Sequence, residues 1–491
     1  MKRTSILIHS AAALALAGCV VGPDYRRPQL GLTDHFQAEA PARSAAIAAG
    51  GLDTWWRGFD DAELVCIVER AQAQNLDLEQ ARARVTQSRA LAKAAGAALA
   101  PRIDAVSSAA NDLQSQRSPI GEIGRHLPGY KSNTNLYDVG AVASWEIDLF
   151  GGLHRAHQAA SAEAAASLAE AEAVKVAITA DAADAYLQAR AFQGRINVAR
   201  RQEATERDLV ALLARQSDEG VASDRELRLT RAELERVQAS IPPLIAALDA
   251  QLNRLDVIMG AQPGTYRAEL AGDGAIPAPP AIEIGRPGDL LRRRPDVLAA
   301  EQRLVAANAR IGAAIADYYP KLSITGLLGV ESVDASQLFT GDAVQHQVAA
   351  GLRWRLFDFG RVDAEVAQAR GRDAEALAAY RARVLRATEE VEDALSELVQ
   401  QQARVQALDR QIAELSTARG QAEQAYEGGV LSLIEVRDAD RELLTASDQR
   451  VLARADAARA AVAAFRALGG GWSANRPVTA AAGVGSVDKG A

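Results

Sequence analysis

The sequence contains two cysteines, two methionines and six histidines in 491 residues, and each shortage closes a class of function. Cys19 and Cys66 cannot build an internal disulfide framework, nor a cysteine-rich metal cluster. Cys66, inside Leu64-Val65-Cys66-Ile67-Val68, is expected as a small buried helix residue. His154 and His157 stand three apart at a predicted helix start without a third ligand nearby, so they are expected as exposed residues and no metal or cofactor is expected. Met1 and Met259 form no methionine track for soft metals. No glycine-rich phosphate loop or nucleophile motif emerges, so an enzyme is not expected. Aromatic residues are only 4%, too few for a large globular enzyme core. The formal net charge of −8 offers nucleic acid no basic surface, and nucleic-acid partners are set aside. Proline, glycine or charge interrupts every apolar run well before twenty residues, so any membrane crossing must use strands.

The N-terminus carries Lys2 and Arg3, an apolar stretch over 6–17, and Leu16-Ala17-Gly18-Cys19. That ending resembles the bacterial lipoprotein box, which implies a signal peptide over 1–18 and acylation of Cys19. Val20 rather than an aspartate follows the cysteine, which fits delivery to the outer membrane. Residues 19–59 are then expected as an extended N-terminal anchor segment.

The rest is a duplication. Ser144-Trp145-Glu146-Ile147-Asp148-Leu149-Phe150-Gly151 precedes Arg353-Trp354-Arg355-Leu356-Phe357-Asp358-Phe359-Gly360 by 209 positions. At the same offset Asp184-Ala185 meets Asp393-Ala394, and Gly220-Val221 meets Gly429-Val430. Upstream, Ala100-Pro101 meets Tyr319-Pro320 at an offset of 219, so copy one carries ten extra residues in a loop. The copies are placed at 60–261 and 287–468, with a Pro- and Gly-rich connector over 262–286 and a flexible tail over 469–491. The first helix of each copy is expected over 60–99 and 287–317.

Between Tyr137 and Leu149 alternate residues are apolar, and the run 344–357 repeats the pattern. Four strands are expected, at about 102–114, 134–149, 321–331 and 344–357. They have the length a membrane β-barrel needs; a soluble sandwich is the alternative. Four strands cannot close a barrel, and open edges cannot face lipid, so membrane strands here force an oligomer. On the polar face, Glu146 and Asp148 in copy one and Arg353 and Arg355 in copy two are expected to line a lumen.

Long helices are expected at about 153–217 and 361–427, returning over 223–258 and 431–468. At 1.5 Å per residue the longer pair would reach roughly 100 Å, more than one globular domain needs. Pro242-Pro243 predicts a kink or break in the first returning helix. A coiled-coil adaptor would lack a use for the strands, and a general porin would spend most of its chain on them. The fold class is therefore mainly α with a small β part, in two tandem repeats.

Several motifs carry a family resemblance: Cys19-Val20-Val21-Gly22-Pro23-Asp24-Tyr25-Arg26-Arg27-Pro28, Trp55-Trp56-Arg57-Gly58-Phe59-Asp60-Asp61, Asn75-Leu76-Asp77-Leu78, Arg293-Arg294-Pro295-Asp296-Val297, Ala300-Glu301-Gln302 and Arg310-Ile311-Gly312-Ala313. Together they resemble the TolC family of outer-membrane efflux ducts, in its NodT/OprM-like lipoprotein branch. The resemblance implies a homotrimer with a twelve-stranded outer-membrane barrel on a periplasmic helical barrel. It also implies a periplasmic adaptor (membrane fusion protein), an inner-membrane RND-type pump, outer-membrane lipid as surroundings, and lipid anchoring. Helix-tip turns are assigned to Gly220, Val221, Gly429 and Val430. The periplasmic gate is assigned to Ile434 as apolar constriction, Asp438 as acidic position and Arg441 as its paired arginine. Solvated helix-end charges are the alternative for these positions.

Overall fold

The computed structural model describes residues 20–37, 51–220, 223–272, 274–282 and 286–473. Cys19, Val221, the signal residues 1–18 and most of the tail lie outside the described residues. The elements are a 3₁₀ helix Leu52–Phe59, α1 Ala62–Gln74, α2 Leu76–Ala97, β1 Arg102–Leu113, α3 Pro119–Gly124, β2 Asn133–Ile147, α4 Gly152–Asp218, α5 Asp224–Ile258, α6 Pro287–Arg293, α7 Pro295–Ala316, β3 Lys321–Ser332, β4 Val344–Arg353, α8 Arg361–Glu427 and α9 Leu433–Ala467. Helix dominates, which removes the porin alternative. Two compact units emerge. One gathers Val85–Ser167 and Ala300–Tyr380 with the chain up to Gln29; the other gathers Leu30–Arg84, Leu168–Ala299 and Arg381 onward.

In the first unit the strands form one antiparallel sheet in the order β1-β2-β3-β4. The central β2–β3 pair joins the two copies, leaving β1 and β4 as edges. Residues 20–27 strap the foot of this sheet. The Val21 N–H donates to the Phe150 carbonyl at 3.1 Å. Arg155, itself buried, donates to the Val21 and Gly22 carbonyls and pairs with Asp24 at 2.8 Å. Arg27 closes a bidentate pair on buried Glu301 at 2.6 Å, and the Tyr25 hydroxyl donates to the same carboxylate. Close approach demands glycine here: a Cβ on Gly312 would lie 2.9 Å from both the Arg155 side chain and the Val21 carbonyl.

The second unit is held by small side chains and buried polar ties. Alanines at 453, 457, 458, 460, 461 and 464 of α9 are all buried, so neighbouring backbones approach closely. Arg195 pairs with Asp448 at 2.8 Å and Arg459 with Asp184 at 2.6 Å, tying α4 to α9. Trp55 stacks on Phe465 with ring centres 5.2 Å apart.

Several sequence expectations need correction. The expected helix over 60–99 is two, because Asn75 leaves the helical region and caps α2: its side chain accepts from the Leu78 N–H and donates to the Ile258 carbonyl. The expected helix over 287–317 breaks likewise at Arg294, which precedes a proline and is pushed to extended backbone. At Pro242-Pro243, where a kink or break is expected, α5 runs on through both prolines without a break. The carbonyls the prolines leave unpaired belong to Gln238 and Ala239, outside the buried core, where water can reach them. The anchor segment is not extended to residue 59, because Trp55, Trp56 and Phe59 bury themselves as a 3₁₀ turn. Cys66 is exposed: α1 buries Leu64, Ile67, Val68 and Ala71, and helical spacing turns position 66 away. The start of the tail is packed, with Gly471 N–H on the Leu52 carbonyl and Trp472 Nε1 on the Arg293 carbonyl.

Two predictions follow from this packing. Gly312→Val should cost about 1–3 kcal/mol by overpacking and free the strap; trypsin should then cut after Arg26, the Arg27–Pro28 bond being resistant, faster than in the unaltered protein. The second concerns buried Arg294, which pairs with Asp296 at 2.7 Å and Glu390 at 2.5 Å and donates to the Ala467 carbonyl. Burial drives the Asp296 carboxyl up, but Arg294 and Arg383 outweigh it and hold it below the usual carboxylate range. As pH drops the unfolded chain takes up this proton first, so the contribution is complete above about pH 4 and lost as pH falls through the folded value. Asp296→Asn should cost on the order of 3 kcal/mol near neutrality, and its melting temperature should approach that of the unaltered protein in acid.

Candidate functional site

The strand register sorts the sheet into two chemically opposite faces. Tyr137, Val139, Ala141, Ala143, Trp145 and Ile147 share a face with Leu322, Ile324, Leu328 and Val330, and with Val344, Val348, Ala350 and Leu352. This apolar face is open: Val348 is 80% exposed, Leu352 66% and Leu328 64%. The opposite face carries Arg102, Asp104, Asp138, Glu146, Lys321, Glu331 and Arg353. Glu146 and Arg353 thus share the polar face, as the period of two predicts.

Asp148 and Arg355 do not join them. Strands β2 and β4 end at Ile147 and Arg353, short of the expected 149 and 357. The Asp148 carboxylate accepts from the His154 N–H at 2.7 Å in the first turn of α4, and Arg355 pairs with Glu365 at 3.4 Å and Asp317 at 4.0 Å. Both are drawn off the strand by helix-end groups.

An aromatic rim marks the same junction in both copies. Trp145 Nε1 donates to the Leu99 carbonyl and Trp354 Nε1 to the Tyr318 carbonyl, each at 3.0 Å. These carbonyls are 219 positions apart, the offset of the upstream repeat. Phe357 and Phe359 are fully open nearby, and Phe150 stacks on Tyr319 at 4.5 Å. An indole with its polar edge satisfied and its ring open suits a water–lipid boundary.

The helix tips repeat as closely. Gly220 and Gly429 take φ of 74° and 73°, a left-handed conformation that glycine adopts without strain. Val430 is exposed. Past each turn, Ser223 and Glu226 close a reciprocal cap, and the Glu435 carboxylate accepts from the Ser432 N–H at 3.0 Å. Both caps were legible as Ser-x-x-Glu at the 209 offset, a signal the sequence reading missed.

Beyond the second tip, most charges on α9 find partners within the chain. Glu435 is spent on its cap. Arg437 donates to Thr230 Oγ1 at 3.0 Å and lies 3.6 Å from Glu206, whose carboxyl burial pushes up although Arg437 pulls it down. Asp440 accepts from Arg419 at 2.9 Å. Facing outward are Asp438 and Arg441, 3.2 Å apart and both more than half exposed, with exposed Ile434 one turn before and exposed Glu442 next in the chain. The three assigned gate positions therefore share one free face.

A match to the family model described as outer membrane efflux protein covers residues 67–261 and 287–470. The pyoverdine export outer membrane protein OpmQ of Pseudomonas putida is 31% identical over 92% of this chain and 94% of its own. The toluene efflux pump outer membrane protein TtgF of the same species is 31% identical over 96% and 98%. Among solved structures, the outer-membrane channel OprN matches with a TM-score of 0.83 and 33% identity, over 92% of this chain and 100% of its own. With both copies matched, relatives aligned almost end to end and the fold shared, this chain belongs to the outer membrane efflux protein family.

Proposed function

We propose that three copies of this chain share one outer-membrane barrel and serve as the exit duct of a tripartite efflux system. The observation that carries this is the sheet, whose two edges are unpaired and whose apolar face is open. Each backbone group left unpaired in lipid would cost several kcal/mol. Because the four strands alternate in direction, β4 of one copy meets β1 of the next antiparallel, and three copies give twelve strands. Glu146 and Arg353 then face the lumen, while the aromatic rim sits at the inner membrane boundary.

Acylation of Cys19 completes the anchoring. Val20 and Val21 sit against Gly151 and Phe150, just past the end of β2, so an acyl chain on the preceding residue would enter the membrane beside the barrel. A periplasmic adaptor and an inner-membrane RND-type pump supply the cargo. The relatives are named for pyoverdine and toluene, chemically unlike molecules, which fits a duct whose specificity is set by its pump.

At the periplasmic mouth, Ile434, Asp438 and Arg441 of three copies would meet around the axis. Opening then separates apolar side chains and breaks exposed charge contacts, a cost that adaptor docking offsets.

Asp438→Ala with Arg441→Ala should raise single-channel conductance in planar bilayers; an unchanged conductance would remove the gate assignment. Arg353→Glu should shift ion selectivity toward cations under a salt gradient. Arg355→Glu should shift it less, because that position is already paired outside the strand, and an equal shift from both would sink the distinction.

A further inference from the structure

The two copies differ in length and charge in the connection between their strands, at the end of the sheet away from the helices. In copy two, residues 333–343 hold two acidic side chains, Asp334 and Asp342, and no lysine or arginine. In copy one, residues 114–132 carry Arg117, Arg125 and Lys131 against a single Glu122. The loop of copy one is thus basic where that of copy two is acidic, in a protein of net negative charge.

This basic loop is a built object. The Gln114 N–H donates to the Ser132 carbonyl at 2.7 Å, closing its base, and Gln114 Nε2 donates to Ser118 Oγ at 2.8 Å. The Ser118 hydroxyl in turn accepts from the Gly121 N–H and caps α3. Gly121 is seated so tightly that a Cβ would lie 1.9 Å from the Ser115 carbonyl oxygen, and a Cβ on Gly124 would lie 2.6 Å from the Tyr130 ring.

What this scaffold holds outward is apolar as well as basic. Ile120 and Ile123 are each 68% exposed and Leu127 is 58% exposed. Arg117 and Lys131 make no ion pair among the described residues, and the one contact of Arg125, to Glu122, is 3.9 Å long. A rigid loop showing aliphatic side chains and unneutralised cations together complements a ligand with both acyl chains and phosphate. Leu113, 75% exposed on the apolar face at the strand end, continues that face to the base of the loop.

We infer that residues 114–132 dock the phosphorylated, acylated glycolipid of the outer leaflet, with Arg117, Arg125 and Lys131 on its phosphates and Ile120, Ile123 and Leu127 among its acyl chains. The inference rests on the barrel reading above, which places this loop at the outer surface.

Native mass spectrometry of the detergent-solubilised full-length trimer, titrated with bisphosphorylated lipid A, tests it. Saturable binding is expected, weakened about fivefold per charge removed in a variant combining Arg117→Gln, Arg125→Gln and Lys131→Gln. Ile120→Ser with Ile123→Ser and Leu127→Ser should also weaken lipid A while leaving competition by inorganic phosphate unchanged. Equal lipid A binding by the charge variant overturns the inference. So does phosphatidylglycerol binding as tightly as lipid A, or inorganic phosphate displacing lipid A completely. Planar-bilayer conductance separates the two readings: variants that conduct normally yet lose lipid A support the docking loop, whereas unaltered protein without conductance strikes the channel reading itself.

Discussion

A β-strand edge is a row of N–H and C=O groups that must be paired by something, and in a hydrocarbon layer water cannot do it. In this protein two such edges flank a four-stranded sheet whose apolar face is open along its length. Almost every other property of the first unit answers to that constraint. Apolar side chains crowd one face and charges the other, the division that lipid outside and water inside the proposed barrel would require. The indoles of Trp145 and Trp354 give their polar edges to carbonyls at the foot of the sheet and keep their rings open. The proposed closure between copies would satisfy the edges without a longer chain.

The second unit solves a different problem with the same duplication. Long helices must pack side by side with few large core residues, so buried alanine on α9 brings backbones close and arginine–aspartate pairs fix their register. Individually such half-exposed pairs contribute little. The buried Arg294 differs, because it spends its donors on Asp296, Glu390 and the Ala467 carbonyl and so ties the start of α7 to α8 and to the end of α9. The Arg-Pro-Asp motif is thus a structural joint at a helix break.

Much of this was legible before any coordinates, for a physical reason. Repeats at fixed offsets and a period of two are one-dimensional signals, and the pairing of β2 with β3 preserves them. The faces of Glu146 and Arg353 followed from alternation alone. Asp148 and Arg355 did not, because strand ends are decided by competition between the ladder and the first turns of the following helices. Cys66 was misjudged because an apolar pentapeptide says nothing about which side of a helix is covered. At Pro242-Pro243 the helix is not broken, since the cost of a lost hydrogen bond depends on whether water can reach the freed carbonyl. The role of Glu301, which gathers Tyr25 and Arg27 from some 275 positions away, had only a motif to announce it.

The helix tips show how structure narrows a choice that sequence leaves wide. Around Ile434 the chain offers Glu435, Arg437, Asp438, Asp440 and Arg441, any of which could hold a mouth closed by charge. Three of these five have partners inside the chain: a capped serine, a neighbouring threonine with a partly buried glutamate, and an arginine on α8. A group already paired gains little from a further contact and loses much when pulled away. Among the described residues Asp438 and Arg441 pair with each other at the exposed surface, with Glu233 also within the field of Arg441, and such a weak bond would be readily exchanged for one to another copy in the proposed trimer. A gate requires that balance, because contacts strong enough to lock a single chain would resist the partner that has to open them.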